Sequence, residues 1–291
     1  MRHFILFSAF FTLLFQNLSG YERDRRASLP FLTGDTLRAS CDHIYDEDSQ
    51  KFYPLKVKEN HTIFIRGSRT LLARFFDKYH PKIKYPYRLV TNNSDHMVPG
   101  GFKEYLNDPK IIKWFAANGW GYKHPKLIPI PRGMPNRFLP FGDLDTILRV
   151  HPLRENRDRP ILAYLNFRPY THPNERNHVY DVFQEYSWAV SPGKKTSEEY
   201  LIDLSQSKFV ISPRGAGLDC YRTWEALTMG AIPVVKTSDL DPMFDELPVL
   251  IIQNWEEVTE EFLLQKYEEF QKKTFKLDKI YGAWWIDFIR S

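Results

Sequence analysis

One stretch of this chain leaves its fold class little freedom. Phe209-Val-Ile-Ser-Pro-Arg214-Gly215-Ala-Gly217-Leu-Asp219-Cys-Tyr-Arg222-Thr-Trp-Glu225-Ala-Leu-Thr-Met-Gly230-Ala-Ile-Pro-Val-Val235 passes from an apolar strand through a Gly-x-Gly turn into a helix, and from the helix into a second apolar strand. Neither strand alternates apolar with polar residues, which marks strands of a parallel sheet covered on both faces. Parallel strands need a long crossover, and the helix read over 219–229, closed by Gly230, supplies it. The unit is a βαβ crossover of an α/β domain.

The same alternation extends along the chain. Strands are expected at 61–66, 87–91, 111–116, 127–131, 161–167, 209–212, 232–235 and 249–252. Helices are expected at 70–79, 174–186, 219–229 and from Asn254 to about 272. Residues 131–160 hold Pro131, Pro135, Pro140, Pro152 and Pro160 with little periodicity, as an inter-domain connection does. A chain of 291 residues, set against about 150 per domain, then divides into 21–150 and 151–291. Each is expected to be a Rossmann-like, doubly wound sheet, the two facing each other across a cleft.

Composition narrows the class. The 40 Lys and Arg against 36 Asp and Glu leave a net charge of +4, spread along the chain. Wrapping by a nucleic-acid backbone is therefore not the leading explanation, no nucleic-acid partner is expected, and a local anion site remains open. With 43% hydrophobic and 15% aromatic residues the chain is not disordered. Two cysteines, Cys41 and Cys220, exclude a disulfide-dense scaffold and a four-cysteine zinc site. Free buried thiols are preferred to a Cys41–Cys220 bridge, because Cys220 reads as part of an apolar helical face.

The apolar run from Phe4 to Phe15, broken by Ser8 and Thr12, is shorter than the roughly 20 residues that span a bilayer. It fits an export signal within residues 1–20. An uncleaved anchor is the alternative, since the basic cluster Arg23, Arg25 and Arg26 follows it. Secretory localisation is expected, in the Golgi or the lumen of the endoplasmic reticulum for a eukaryotic chain. Asn60-His61-Thr62 and Asn92-Asn93-Ser94 would then be candidate glycosylation sequons.

The Gly-x-Gly turn opening onto a helix is a phosphate cradle, because free N–H groups and the positive end of the helix dipole attract anions. Arg214, at the carboxyl end of its strand, suits bidentate bonding to phosphate oxygens. Gly215 and Gly217 let the backbone approach a ligand. The third glycine of the dinucleotide fingerprint is replaced by Cys220, which argues against a nicotinamide cofactor. Cys220, Trp224 and Leu227 form the buried stripe of the helix, while Arg222 and Glu225 share a face reachable from the turn. A carboxylate there can take both hydroxyls of a ribose; the bland alternative is an i, i+3 ion pair between Arg222 and Glu225. A second basic element, Asn166-Phe-Arg168-Pro-Tyr-Thr-His-Pro173-Asn-Glu-Arg176, places Arg176 near the start of the next helix, where a cation is unfavourable unless an anion meets it. Arg168 and Arg176 are thus candidate diphosphate ligands.

The run Ser212-Pro-Arg-Gly-Ala-Gly-Leu-Asp-Cys-Tyr-Arg-Thr-Trp-Glu-Ala-Leu, followed by Met-Gly-Ala-Ile-Pro-Val-Val and Leu247-Pro-Val-Leu, resembles the C-terminal half of exostosin-type glycosyltransferases. The resemblance covers roughly residues 160–265 and the N-terminal half only in element order. It implies a GT-B fold and a nucleotide-sugar donor, a uridine diphosphate sugar by the family analogy, held by the C-terminal domain. It also implies transfer to a glycan or glycoprotein hydroxyl with inversion at the anomeric carbon. By position, Arg214, Arg222 and Glu225 match the family's donor-binding segment. No cofactor is implied, the nucleotide sugar being a substrate.

An inverting transfer needs a general base on the acceptor side. Asp95, with His96 behind it, follows the strand at 87–91 and is the leading candidate; Asp42 and His43 form a second pair. Asp143-Leu-Asp145 and Asp239-Leu-Asp241 fit the Asp-x-Asp pattern that holds a divalent ion in other glycosyltransferases, but Asp239 and Asp241 read as turn residues, and no metal site is expected. Three rivals stand: a metal-dependent transferase using Asp239 and Asp241, a non-catalytic nucleotide- or sugar-binding module, and a methyltransferase, which has no need of so many arginines at the turn.

Overall fold

The computed structural model describes residues 23–49, 51–156 and 158–291, so the apolar run at 4–15 lies outside the described residues. Two five-stranded sheets, parallel throughout, organise the chain.

The first half begins with α1 (Gly34–Ser40) and β1 (His43–Tyr45), continues through β2 (Thr62–Arg66), α2 (Arg69–Arg74) and β3 (Tyr87–Asn92), and closes with β4 (Ile111–Ala116) and β5 (Leu127–Pro129). Its strands lie side by side in chain order. Ile63, Leu89 and Trp114 point to one face and their neighbours Phe64, Val90 and Phe115 to the other, and all six are buried. This is why these strands read as continuous apolar runs. β1 goes beyond the sequence expectation: three residues with a half-buried His43 carry too little pattern to announce a strand.

The segment 131–160, expected as the inter-domain connection, carries a helix of its own. It contains α3 (Leu144–Val150), capped by Asp143, whose carboxylate accepts from the Thr146 N–H at 3.0 Å. Leu144, Ile147 and Val150 of this helix are buried, an i, i+3, i+6 stripe too short to stand out among prolines.

The second half comprises β6 (Ile161–Tyr164), α4 (Pro173–Phe183), β7 (Ala189–Val190), α5 (Ser197–Ser205), β8 (Ser207–Ile211), α6 (Tyr221–Thr228), β9 (Ile232–Lys236), β10 (Leu250–Ile252), α7 (Glu260–Gln271) and α8 (Gly282–Arg290). Asn254 caps a short 3-10 turn, and the cap of α7 is Thr259. Strand order is β10-β9-β8-β6-β7, so the winding reverses between β8 and β6. A crevice opens at the carboxyl ends of the strands on either side of such a reversal.

The halves share a core. Phe64, Val90 and Phe115 of the first sheet belong to the same apolar cluster as Tyr164, Val210 and Val235 of the second, with Trp224 and Leu227 of α6 between them. α8 returns to the first half: Trp285 and Ile289 join that cluster, the Gly282 N–H donates to the Pro30 carbonyl and Arg290 Nη2 to the Ser40 carbonyl at 2.7 Å. Among the described residues no helix is long and apolar enough to cross a membrane. In the basic cluster that follows the N-terminal run, Arg25 is clamped by both oxygens of Asp35, Arg23 pairs with Glu47 and Arg26 with Asp24. Asn92 is buried and donates from its side-chain amide to the Pro131 carbonyl, so in the folded chain it offers no glycan acceptor; Asn60 is exposed.

Candidate active site

The loop after β6 and the loop after β8 meet at the winding reversal, and with Asp95 and Arg132 from the first half they enclose a cleft of about 400 Å³. Asp95, Arg168, Arg176, Gly215, Gly217, Arg222 and Glu225, read from separate parts of the sequence, all line it. Arg214 does not. It faces an adjoining hollow of about 190 Å³ with Ser212, Thr223 and Lys236, its guanidinium 5.5 Å from the ring centre of Trp120.

The two glycines answer to protein atoms. A Cβ on Gly217 would lie 2.8 Å from Asn118 Nδ2, and one on Gly215 3.0 Å from Arg176 Nη2. Neither has a left-handed backbone; what they permit is close approach of side chains from α4 and the first half. The first turn of α6 has no side-chain cap: the Thr223 N–H donates to the Cys220 carbonyl, while the N–H groups of Tyr221 and Arg222 have no acceptor among the described residues. Cys220 stands at the N-cap position, not on the buried stripe, and Cys41 and Cys220 are both free thiols.

Arg176 and Arg222 form the floor. Arg176 donates from Nε to the Arg214 carbonyl at 2.7 Å and from Nη1 to the Arg168 carbonyl at 2.9 Å, lacing the two loops together. Arg222 donates from Nε to the Asn166 carbonyl at 3.0 Å and from Nη1 to the Pro213 carbonyl at 3.3 Å. Both guanidinium groups lie against the Phe167 ring. Among the described residues neither forms a salt bridge. Burial, with Arg222 nearby, lowers the pKa of Arg176 to about 10. Two adjacent buried cations held by carbonyl oxygens cost solvation and repel each other, which an anion in the cleft would offset. Arg168, by contrast, is exposed, and its Nη1 donates to the Tyr170 hydroxyl.

Glu225 is 7% exposed and, among the described residues, makes no ion pair with Arg222. Its Oε2 accepts from the Tyr200 hydroxyl at 3.0 Å. Burial pushes its carboxyl up to about 7, against the opposing pull of Tyr200 and Arg222. Asp219 is raised to about 6, again by burial. Its oxygens accept from the Arg132 N–H at 2.7 Å, the Cys220 N–H at 2.9 Å and the Trp224 indole, while its own N–H donates to Asn118 Oδ1. Asp219 thus joins the halves and shapes the cradle from below.

Asp95 reaches the cleft mouth, where Arg132 Nη1 donates to Oδ1 at 2.6 Å. His96 is turned back onto Ser94 Oγ. Asp42 does not line the cleft and is engaged by Thr62. Its Oδ2 accepts from the Thr62 N–H and hydroxyl, both at 2.8 Å, and His43 pairs with His61. Asp241 accepts from the Thr237 hydroxyl and the Ser238 N–H, and Asp239 from the Gly121 N–H, so this pair shapes its turn and a contact between the halves.

Tyr200 and Arg132 escaped sequence reasoning. Tyr200 lies on a helix whose strong signal, the capping box of Thr196 and Glu199, is present in the sequence. Arg132 sits among prolines with no periodic context.

Two parallel five-stranded sheets that share a core, with an arginine-floored cleft at the winding reversal of the second, match the two-sheet α/β arrangement expected from the sequence. Residues 171–290 match the family model RXYLT1 C-terminal domain. No curated protein matches the chain. Among solved structures, the UDP-GlcNAc 2-epimerase from Methanocaldococcus jannaschii is similar at 12% identity and a TM-score of 0.38, covering 78% of this chain and 76% of that one. A glycosyltransferase from Rickettsia africae ESF-5 is similar at 12% identity and a TM-score of 0.38, covering 78% and 71%.

Proposed function

We propose that the chain is a glycosyltransferase of the secretory route that moves a sugar from a nucleoside diphosphate donor, of the uridine type, to a hydroxyl of a glycan or glycoprotein, with inversion and without a metal ion. The observation that carries this reading is the pair Arg176 and Arg222, buried on the cleft floor and anchored by carbonyl oxygens beside the uncapped first turn of α6. Positive charge held in place at the cleft floor stabilises a departing diphosphate with little reorganisation. Glu225, one helical turn further along the same face, takes a ribose hydroxyl on Oε1 while Tyr200 holds Oε2. Asp95 supplies the general base at the mouth, on the side of the first half.

The test is a thermal-shift panel of nucleoside diphosphates followed by turnover of the matching sugar donor, with and without chelator. Stabilisation by uridine diphosphate that disappears in Arg222→Gln and Glu225→Ala, with turnover indifferent to chelator, is expected. Binding without transfer or hydrolysis would mean a non-catalytic module, and loss of turnover in chelator a metal-dependent enzyme.

A further inference from the structure

Building on the nucleoside diphosphate reading of the cleft, we propose that Arg132, contributed by the first half, is a ligand of the donor's diphosphate and exchanges Asp95 for it when the donor arrives. Arg132 lines the cleft together with Gly215, Gly217 and Arg222. Its position is fixed through the main chain, whose N–H donates to Asp219 Oδ2 at 2.7 Å. Its guanidinium lies 4.4 Å from the ring centre of Tyr221, the first residue of α6, and so stands over the uncapped turn.

Donor accounting separates it from the other arginines. A guanidinium has five N–H donors. Arg132 uses Nη1, toward Asp95 Oδ1 at 2.6 Å and the Ser94 carbonyl at 3.2 Å, while Nε and Nη2, beside the Tyr221 side chain, make no other hydrogen bond within 3.5 Å among the described residues. Arg176 and Arg222 are tied to loop carbonyls, Arg168 is exposed, and Arg214 faces the adjoining hollow.

The Asp95 pair is built to yield. The Arg132 side chain is 12% exposed and that of Asp95 51%, so the cation sits inside and its partner stands in water at the rim. Losing a solvated partner costs little, and a diphosphate brings more charge than one carboxylate. Donor binding then frees Asp95, leaving it unpaired when the acceptor hydroxyl needs a base. The order is donor first, acceptor second.

Isothermal titration of the full chain with uridine diphosphate and uridine monophosphate tests this. Arg132→Gln is expected to weaken the diphosphate by about 10- to 100-fold and the monophosphate far less. Asp95→Asn, which removes the competitor, is expected to tighten the diphosphate severalfold, a change no folding defect imitates. An unaltered preference for diphosphate over monophosphate in Arg132→Gln, or an affinity in Asp95→Asn that stays level or falls, overturns the proposal while the donor reading stands. A wild-type protein that binds neither nucleotide overturns the donor reading, and this assignment with it.

Discussion

Replacing Glu225 by Gln removes one titration and keeps the shape of the side chain, including an oxygen for the Tyr200 hydroxyl. In the native protein the Glu225 carboxyl holds its proton up to about pH 7, whereas the ordinary value is 4.5. Between those values the native state binds more protons than the unfolded one, so stability falls as pH rises through the window and levels off above it. At about 1.4 kcal/mol per pKa unit the loss is about 3 kcal/mol. With an unfolding entropy of about 2.1 cal/mol/K per residue, a chain of this length has about 0.6 kcal/mol/K, and the loss corresponds to about 5 °C in Tm. Glu225→Gln escapes it. The two proteins should melt within about 1 °C of each other near pH 4.5, and the variant about 5 °C higher at pH 8. Scanning calorimetry at closely spaced pH values reads the difference directly, and comparison with wild type cancels the titration of Asp219, which falls in an overlapping window. A melting difference independent of pH, or a variant less stable at pH 8, would refute the picture of a carboxyl kept in the cleft at the expense of stability. Nucleoside diphosphate binding should move the opposite way, increasing through pH 7 in the wild type and staying flat and weak in the variant.

Four further outcomes follow from the same geometry. Gly217→Ala sets a methyl group against Asn118 Nδ2 and should lower stability by about 1–3 kcal/mol in urea titration. Gly215→Ala, whose methyl group meets the end of the Arg176 side chain and, at an ordinary contact distance, Cys220 Sγ, should cost less. Tyr200→Phe leaves the buried Glu225 without its donor; the carboxyl should protonate at higher pH, moving the calorimetric window upward. Asp219→Asn places an amide where the carboxylate accepts from Arg132, Cys220 and Trp224, and should cost about 2–3 kcal/mol in denaturant while shifting Trp224 fluorescence.

The motif at 209–235 was legible because its parts have local causes, continuous apolar strands and glycines at the turn, although the expected one-sided stripe is replaced by a helix buried from Arg222 to Thr228. The convergence of Arg176, Arg222 and Glu225 followed from placing that motif and the loop after β6 at strand ends. What the sequence concealed arises from pairings remote along the chain. Arg290 meets Ser40, and Arg132 meets Asp95 and Asp219, at separations that no window of periodicity spans. Short elements were lost for a different reason. Three residues in β1 and seven in α3 are too few for a period to emerge beside prolines and histidines. Arg214 shows the limit of position as a guide, for its place at a strand's carboxyl end suited it to the phosphate cradle, yet its guanidinium leans on Trp120.

The contacts between the halves explain why the cleft can be ready before a ligand enters. Asp219 binds the Arg132 main chain and Asn118 in the first half, and the Trp224 indole and Cys220 N–H in the second, so one carboxylate ties both walls to the start of α6. Gly121 donates to Asp239 a short distance away, and α8 packs on the first half from the opposite end of the chain. Rotating the halves apart would strip the buried Asp219 carboxylate of its bond from the Arg132 N–H, a charge-assisted bond worth about 1.5–3 kcal/mol, and break the Asp219 N–H bond to Asn118. Ligand binding is therefore expected to rearrange side chains at the rim, Arg132 and Asp95 first among them, with the backbone of the cradle held where the apolar core and Asp219 place it.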